Sequence, residues 1–136
     1  MSEADLQALL DRAAIQDVLL RYARGVDRKD LRLVATCFAP DAAYDGTLGR
    51  GRIGDALEKL GEAMERYDRT MHFIGNHSIE VAGEVATSEA YCLAHHVLRD
   101  GGRLVVAVRY LDDLVRRDGR WMITARKAEV EWRRNE

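Results

Sequence analysis

The chain has 136 residues, 47% of them hydrophobic, which is enough for one domain with its own core. Its 21 lysines and arginines nearly balance its 23 aspartates and glutamates, so no overall charge favours nucleic acid or an anionic membrane. No apolar run approaches the roughly 20 residues of a membrane span, and the two cysteines match no metal spacing. We therefore expect a single cytoplasmic domain over residues 1–136, without a nucleic-acid or membrane partner.

The first predicted element is a long helix over residues 4–25. Apolar side chains recur at helical spacing, Asp5 is the expected N-cap, and Gly25 is the expected end. An earlier apolar stripe lies on a different side of this helix, so the helix is expected to contact both the core and a partner subunit. That stripe comprises Leu6, Leu9, Leu10 and Ala13.

Two shorter helices and a strand follow. Asp30 is expected to cap a short helix that Pro40 stops, and residues 42–47 are expected to form a strand. A flexible loop comes next, and a third helix begins near Ile53 and fades by Asp68. The loop glycines are Gly49, Gly51 and Gly54.

In the second half of the chain the apolar period changes to two, which predicts successive strands separated by glycine-containing turns. Helices followed by an antiparallel meander indicate an α+β fold. We expect a cone-shaped α+β barrel, with three N-terminal helices packed on a strongly curved, mainly antiparallel sheet and a pocket at the open end. The predicted strands cover residues 71–81, 86–99, 104–116 and 121–132.

Asp27 and His72 each lie within an apolar stretch, where a charge is costly unless it is paired. An aspartate that orients a histidine is sufficient equipment for removing a proton from carbon. The alternative is that Asp27 caps a turn and His72 is an ordinary interior histidine. The first interpretation requires the fold to bring the two segments together.

Several segments along nearly the whole chain carry a family resemblance. They include Gly25-Val26-Asp27 and Met71-His72-Phe73-Ile74-Gly75-Asn76, together with residues 12–17, 22–31, 38–40 and 117–121. These segments resemble the SnoaL-like branch of the nuclear transport factor 2-like superfamily. Within that branch the likeness is to the hexachlorocyclohexane dehydrochlorinases and the scytalone dehydratases.

The resemblance implies roles for individual residues. Asp27 and His72 fall on the catalytic dyad of both enzymes, and Arg126 falls on an arginine that assists the leaving group in the dehydrochlorinase. His95 or His96 corresponds to a second histidine of the dehydratase. A second acid or base at that position would serve the leaving group of an elimination reaction.

The sequence also departs from both enzymes. Tyr22 stands at the dehydrochlorinase's lysine position and cannot supply a cation. Val26 and Gly46 stand where the dehydratase has the tyrosines that polarise its substrate carbonyl, and neither carries a hydroxyl. We therefore do not expect this chain to act on the substrate of either enzyme.

Strand parity separates the remaining candidates. Arg126 is predicted to face away from Trp121 and Ile123, where it would stabilise a developing anion or form an ion pair with an acid on an adjacent strand. Only one of His95 and His96 can face a pocket, and His96 is favoured because its face carries small residues. Its alternative is a histidine of the core or of a subunit interface.

Two tyrosines, Tyr22 and Tyr44, are expected to reach the cavity and bind substrate, the alternative being core residues with bonded hydroxyls. No histidine spacing indicates a metal site, and no glycine-rich motif indicates a cofactor. We expect neither metal nor cofactor.

The sequence favours a cofactor-independent lyase of the dehydratase type acting on a small hydrophobic substrate. The alternatives are an isomerase or cyclase that uses the same proton abstraction, and a non-catalytic ligand-binding domain. Residues 104–111 are apolar on both faces of their predicted strand, which predicts a homodimer, or a higher homo-oligomer, through the sheet.

Overall fold

The protein forms three helices packed on one six-stranded sheet that is curled but not closed. The computed structural model describes all residues 1–136. The sheet order is β2-β1-β6-β5-β4-β3, and only the β1–β6 pair is parallel. The expected α+β cone is therefore confirmed. The elements are α1 (Glu3–Asp27), α2 (Leu31–Ala35), β1 (Phe38–Gly46), β2 (Gly49–Arg52), α3 (Ile53–Arg66), β3 (Tyr67–Ala82), β4 (Val85–Leu98), β5 (Arg103–Arg117) and β6 (Arg120–Asn135).

Helix α1 is longer than predicted at both ends. Ser2, rather than Asp5, is the N-cap, and the two residues form a capping box in which each side chain accepts from the other's backbone N–H. The helix also continues through Gly25, so the prediction that this glycine ends it was wrong. A Cβ at Gly25 would lie 2.7 Å from Cγ2 of Val34, and the glycine therefore permits close packing of α1 against α2.

The predicted helix stop at Pro40 was also wrong. Helix α2 is capped by Asp30, as expected, and ends five residues before the proline. Pro40 lies inside β1, between the pairs that Phe38 and Ala43 form with β6, where the register is irregular. Proline is tolerated at such a position because no regular ladder requires its missing N–H. Part of the expected glycine-rich loop forms β2, which pairs with β1.

Strands β3 to β6 form the expected antiparallel meander, but a bulge changes the parity of β6. The register between β5 and β6 shifts between Ile123 and Ala125, which leaves Thr124 as an extra residue. Trp121, Ile123 and Arg126 are consequently all buried. The prediction that Arg126 faces away from the other two was wrong because sequence parity assumes an unbroken period of two.

One buried carboxylate fixes α1 against the far end of the meander. Asp11 is only 5% exposed and accepts hydrogen bonds from Nη1 of Arg116 at 2.8 Å and Nε1 of Trp121 at 3.1 Å. The adjacent Arg12 donates from Nη1 to the carbonyl of Ile79 at 2.7 Å. These contacts connect α1 to β3, β5 and β6. No helix combines the length and the apolar character that crossing a membrane requires.

The outer face of the sheet exposes a contiguous group of large apolar side chains. Phe73, Leu93, Ala107 and Trp132 pair in one row across β3, β4, β5 and β6. Phe73 is 71% exposed, Leu93 45% and Trp132 48%. Apolar patches of this kind on a sheet face mark interaction surfaces.

We propose that a second copy of the chain covers this row, giving the expected homodimer. The change Phe73→Glu with Leu93→Glu should convert a dimer into a monomer, because four charges would face one another across the two-fold interface. Light scattering during size-exclusion chromatography measures the mass. The matched control is Val85→Glu, an exposed apolar position at the far end of β4, which should stay dimeric. A monomeric wild-type protein would contradict the proposal.

Candidate active site

The fold brings the two predicted dyad residues together. Asp27 is the last residue of α1, and His72 lies in β3; Nδ1 of His72 is 2.7 Å from Oδ1 of Asp27. The same Oδ1 accepts from the hydroxyl of Thr70 at 2.9 Å, and Oδ2 accepts from the backbone N–H of His72 at 3.0 Å. The His72 side chain is 8% exposed. Three hydrogen bonds therefore hold the carboxylate and the imidazole in one orientation.

These contacts assign the proton positions of the pair. Burial raises the pKa of Asp27, but the hydrogen bonds from the His72 ring and backbone, the His72 charge and the Thr70 hydroxyl together hold it below its usual value. The carboxylate is thus ionised at neutral pH and accepts the Nδ1 proton. Nε2 of His72 remains as the ring nitrogen with a free lone pair.

His72 lies on the wall of a cavity of about 260 Å³. The cavity lies between the C-terminal end of α1, helix α3 and the inner face of the sheet, and 15 of its 22 lining residues are hydrophobic. Enclosed, mostly apolar pockets with a few polar groups are typical of small-molecule sites. Tyr22 and Tyr44, predicted to bind substrate, both line it. Burial raises the pKa of Tyr22 to about 12, against the opposing charge of Arg126, so its hydroxyl is a donor at neutral pH.

Of the two adjacent histidines, the structure places His96 in the cavity wall and leaves His95 exposed on the outer face. The rings of His72 and His96 lie 5.8 Å apart. Nδ1 of His96 donates to the carbonyl of Leu104 at 3.2 Å. Burial lowers the pKa of His96, with the Leu104 carbonyl opposing it, so the ring is neutral and offers Nε2 as an acceptor.

Arg126 does not reach the cavity. Its Nε and Nη2 donate to the two carboxylate oxygens of Asp112 at 2.8 and 2.9 Å, and both side chains are 0% exposed. The guanidinium lies 4.1 Å from the ring centroid of Tyr110 and 4.3 Å from that of Tyr22. The structure therefore shows the ion-pair alternative, and this placement contradicts the leaving-group role that the resemblance implied.

Sequence reasoning missed several residues of the site. Thr70 lies two residues before His72 on the same face of β3, so strand parity could have identified it. Arg133 lines the cavity because a second irregularity between β5 and β6 shifts the register near Glu131, which sequence parity does not predict. Lys29 and Arg66 also line the cavity and carried no sequence signal. No cluster of three or more potential metal ligands is present.

The chain is thus an α+β cone with a His–Asp pair on the wall of an apolar cavity. The chain belongs to the SnoaL-like domain family, whose profile matches residues 7–127. An uncharacterized protein of Mycobacterium tuberculosis, Rv2910c, is 30% identical over 121 residues, which cover 85% of this chain and 82% of that protein.

Solved structures share the same fold. The hexachlorocyclohexane dehydrochlorinase LinA-type3 of Novosphingobium barchaimii superposes with a TM-score of 0.86 at 23% identity, covering 97% of this chain and 94% of that one. A candidate scytalone dehydratase of Novosphingobium aromaticivorans gives 0.87 at 20% identity, covering 95% and 89%. The family and fold implied by the sequence motifs are thereby confirmed.

The Arg126–Asp112 pair provides a stability test. Arg126→Met should destabilise the protein by about 3–5 kcal/mol, because it leaves a buried carboxylate without a partner. Arg126→Met with Asp112→Leu should recover much of that loss, because no buried charge remains. Urea unfolding measures both. If Arg126→Met retained full stability and lost only activity, the arginine would act in the site instead.

The Asp27–His72 contact predicts a pH-dependent stability. Because the pKa of Asp27 is lower in the folded state than in the unfolded chain, its ionisation stabilises the fold. That contribution is complete above the unfolded value of about 3.9 and is lost as pH falls through the folded pKa. Asp27→Asn should therefore be less stable than wild type by about 1–3 kcal/mol at neutral pH, and the difference should shrink on acidification.

Urea unfolding at several pH values between neutral and about 3 measures this difference. Asp45→Asn is the matched control, since Asp45 is exposed and its side chain forms no hydrogen bond or salt bridge. If the stability difference between Asp27→Asn and wild type did not vary with pH, the charge of the Asp27 carboxylate would not be the source of the stabilisation.

Proposed function

We propose that the protein is a cofactor-independent lyase of the dehydratase type, acting on a small apolar, polyketide- or steroid-like substrate. The observation that carries this proposal is the 2.7 Å contact between Nδ1 of His72 and Oδ1 of Asp27 on the wall of an apolar cavity. Membership of the SnoaL-like family supports it. Two proteins of the same fold, described as a dehydrochlorinase and a candidate scytalone dehydratase, point to the same reaction class.

The proton abstraction follows from the orientation of the dyad. Nε2 of His72 accepts a proton from the carbon next to a carbonyl group, while Nδ1–H stays bonded to Asp27, which stabilises the imidazolium. A positioned base of this kind contributes about 10²–10⁴-fold to the rate. The hydroxyls of Tyr22 and Tyr44 are the donors available to the developing enolate oxygen.

The departing group must also receive a proton. Neutral His96 has only one ring proton, and that proton is engaged with the Leu104 carbonyl, so His96 is an acceptor for substrate rather than an acid. We therefore assign both transfers to His72. Its imidazolium returns the proton to the leaving hydroxide, water is released, and the dyad ends in its starting state.

An isomerase or cyclase that uses the same abstraction is favoured by one observation. Arg126 is committed to Asp112 and does not line the cavity, so it does not stabilise a leaving anion in the way the resemblance implied. A reaction that only moves a proton needs no such cation. The two reactions differ in the mass of the product, because elimination loses water and isomerisation loses nothing.

A bicyclic β-hydroxyketone tests the proposal. Wild-type protein should convert 3-hydroxy-1-tetralone into 1-naphthol and water, which fluorescence detects. Both His72→Ala and Asp27→Asn should reduce the rate, the former by about 10²–10⁴-fold, because each removes the oriented base. His95→Ala is the control, since His95 lies outside the cavity, and should retain the wild-type rate.

A companion measurement separates the alternatives. In D₂O, 1-tetralone has an acidic carbon but no leaving group, so it reports proton abstraction alone. Deuterium incorporation without any dehydration of the hydroxyketone would favour the isomerase. If wild type exchanged and dehydrated these compounds no faster than His72→Ala, the protein would not be an enzyme of this class.

A further inference from the structure

All the charged side chains that line the cavity, apart from its histidines, are positive. Lys29, Arg66 and Arg133 line it, and no aspartate or glutamate does. None of the three forms a salt bridge, and all three are exposed. In a chain of net charge −2, this is a local excess of positive charge at the mouth of an apolar chamber.

Other cations of the sheet are paired with carboxylates. Arg109 contacts Glu89 at 3.2 Å and Glu131 at 3.1 Å, and Arg126 contacts Asp112 at 2.8 Å. The three cations of the cavity mouth have no such carboxylate, and unlike the other unpaired surface cations they line the cavity. A ligand with a negative charge would supply the missing partner.

The three cations lie near the part of the cavity wall that Tyr67 and His96 form. Nζ of Lys29 donates to the carbonyl of Tyr67 at 2.8 Å, and Arg66 immediately precedes that tyrosine. The Tyr67 ring packs on the His96 ring with centroids 4.7 Å apart. The charge of Arg133 acts on His96 from β6. These contacts place the cations beside the part of the cavity wall that Tyr67 and His96 form.

The register of the sheet relates these charges to the dyad. His72, Ala94, Val106 and Arg133 form one row across β3, β4, β5 and β6, and all four line the cavity. Neighbouring strands are about 4.8 Å apart, so the Cα atoms of His72 and Arg133 are at most about 14 Å apart, and less where the sheet curves. The base and the guanidinium thus line one cavity from strands three positions apart in the sheet.

We propose that the substrate is an apolar ring system that ends in a carboxylate, bound by Lys29, Arg66 and Arg133 at the cavity mouth. This inference rests on the proposed function, since it names the substrate class of the same site. Ion pairs at the mouth orient the ring, and the orientation decides which carbon faces Nε2 of His72. Asp27 does not line the cavity, and its carboxylate is hydrogen-bonded to His72 and Thr70.

Two probes of equal shape test the charge. Calorimetry at neutral pH and low salt should show that 2-naphthoate binds about tenfold more tightly than 2-naphthamide, the sum expected of three exposed ion pairs. Added salt should reduce the difference. The variant Lys29→Gln with Arg66→Gln and Arg133→Gln should bind naphthoate no better than naphthamide, with its naphthamide affinity unchanged.

The matched control removes three exposed arginines that do not line the cavity: Arg32→Gln, Arg52→Gln and Arg120→Gln. This control should keep the preference for naphthoate. Loss of the preference in the control would show a general charge effect and overturn the proposal, as would equal binding of both probes to wild type. Arg133→Gln alone, a single exposed change, should lose part of the preference and replaces the triple variant if that variant does not fold.

The proposed substrate class and the proposed reaction can be contradicted independently of each other. His72→Ala should keep the naphthoate preference while it loses dehydration of 3-hydroxy-1-tetralone. If the wild type preferred naphthoate but showed no His72-dependent dehydration, the carboxylate site would be supported and the proposed lyase activity would be contradicted. If the wild type dehydrated the hydroxyketone but bound naphthoate and naphthamide equally, the lyase activity would be supported and the carboxylate site would be contradicted.

Discussion

The structure depends on the way two carboxylates of one helix are paired with the sheet. Asp11 and Asp27 lie about 24 Å apart along α1 at 1.5 Å per residue, and each accepts hydrogen bonds from strands. A carboxylate removed from water is costly unless it is paired, so both contacts fix where the helix lies. The contact with Trp121 secures one end, and the contact with His72 secures the other. The contact between Asp27 and His72 thus both positions the C-terminal end of α1 and orients the candidate base.

A second buried ion pair lies behind the tyrosine rings of the cavity wall. Arg126 donates two hydrogen bonds to Asp112, and the guanidinium contacts the rings of Tyr22 and Tyr110, which line the cavity. A positive charge beneath aromatic rings strengthens their packing, and the rings separate it from a ligand. The arginine thus acts on the site through the tyrosines it supports.

The cavity separates two kinds of interaction. Its interior is apolar and contains an oriented imidazole, whereas its mouth carries the unpaired cations. An apolar interior strengthens the contact between the imidazole and its carboxylate because water is excluded there. The exposed mouth is where a charged group can bind with little loss of hydration. Such a division suits a molecule whose reactive part and recognised part lie at opposite ends.

The sequence predicted the fold well because the helices and strands show clear apolar periods, and it identified Asp27 and His72 because their motifs resemble a known family. Its errors lay where contacts distant in the chain overrode a local signal. Gly25 is required by the approach of Val34, and Pro40 is accommodated in an irregular part of β1. The bulge at Thr124 reversed the expected face of Arg126.

By itself, then, the sequence determined the elements, their order and the residue types available for chemistry, because these depend on local periodicity and on motifs. Only the tertiary structure decided which charges are paired. His72 with Asp27 and Arg126 with Asp112 join residues on different elements, while Arg133 has no partner. Register and bulges set those distances, and the energy of a charge depends on distance and burial rather than on position in the chain.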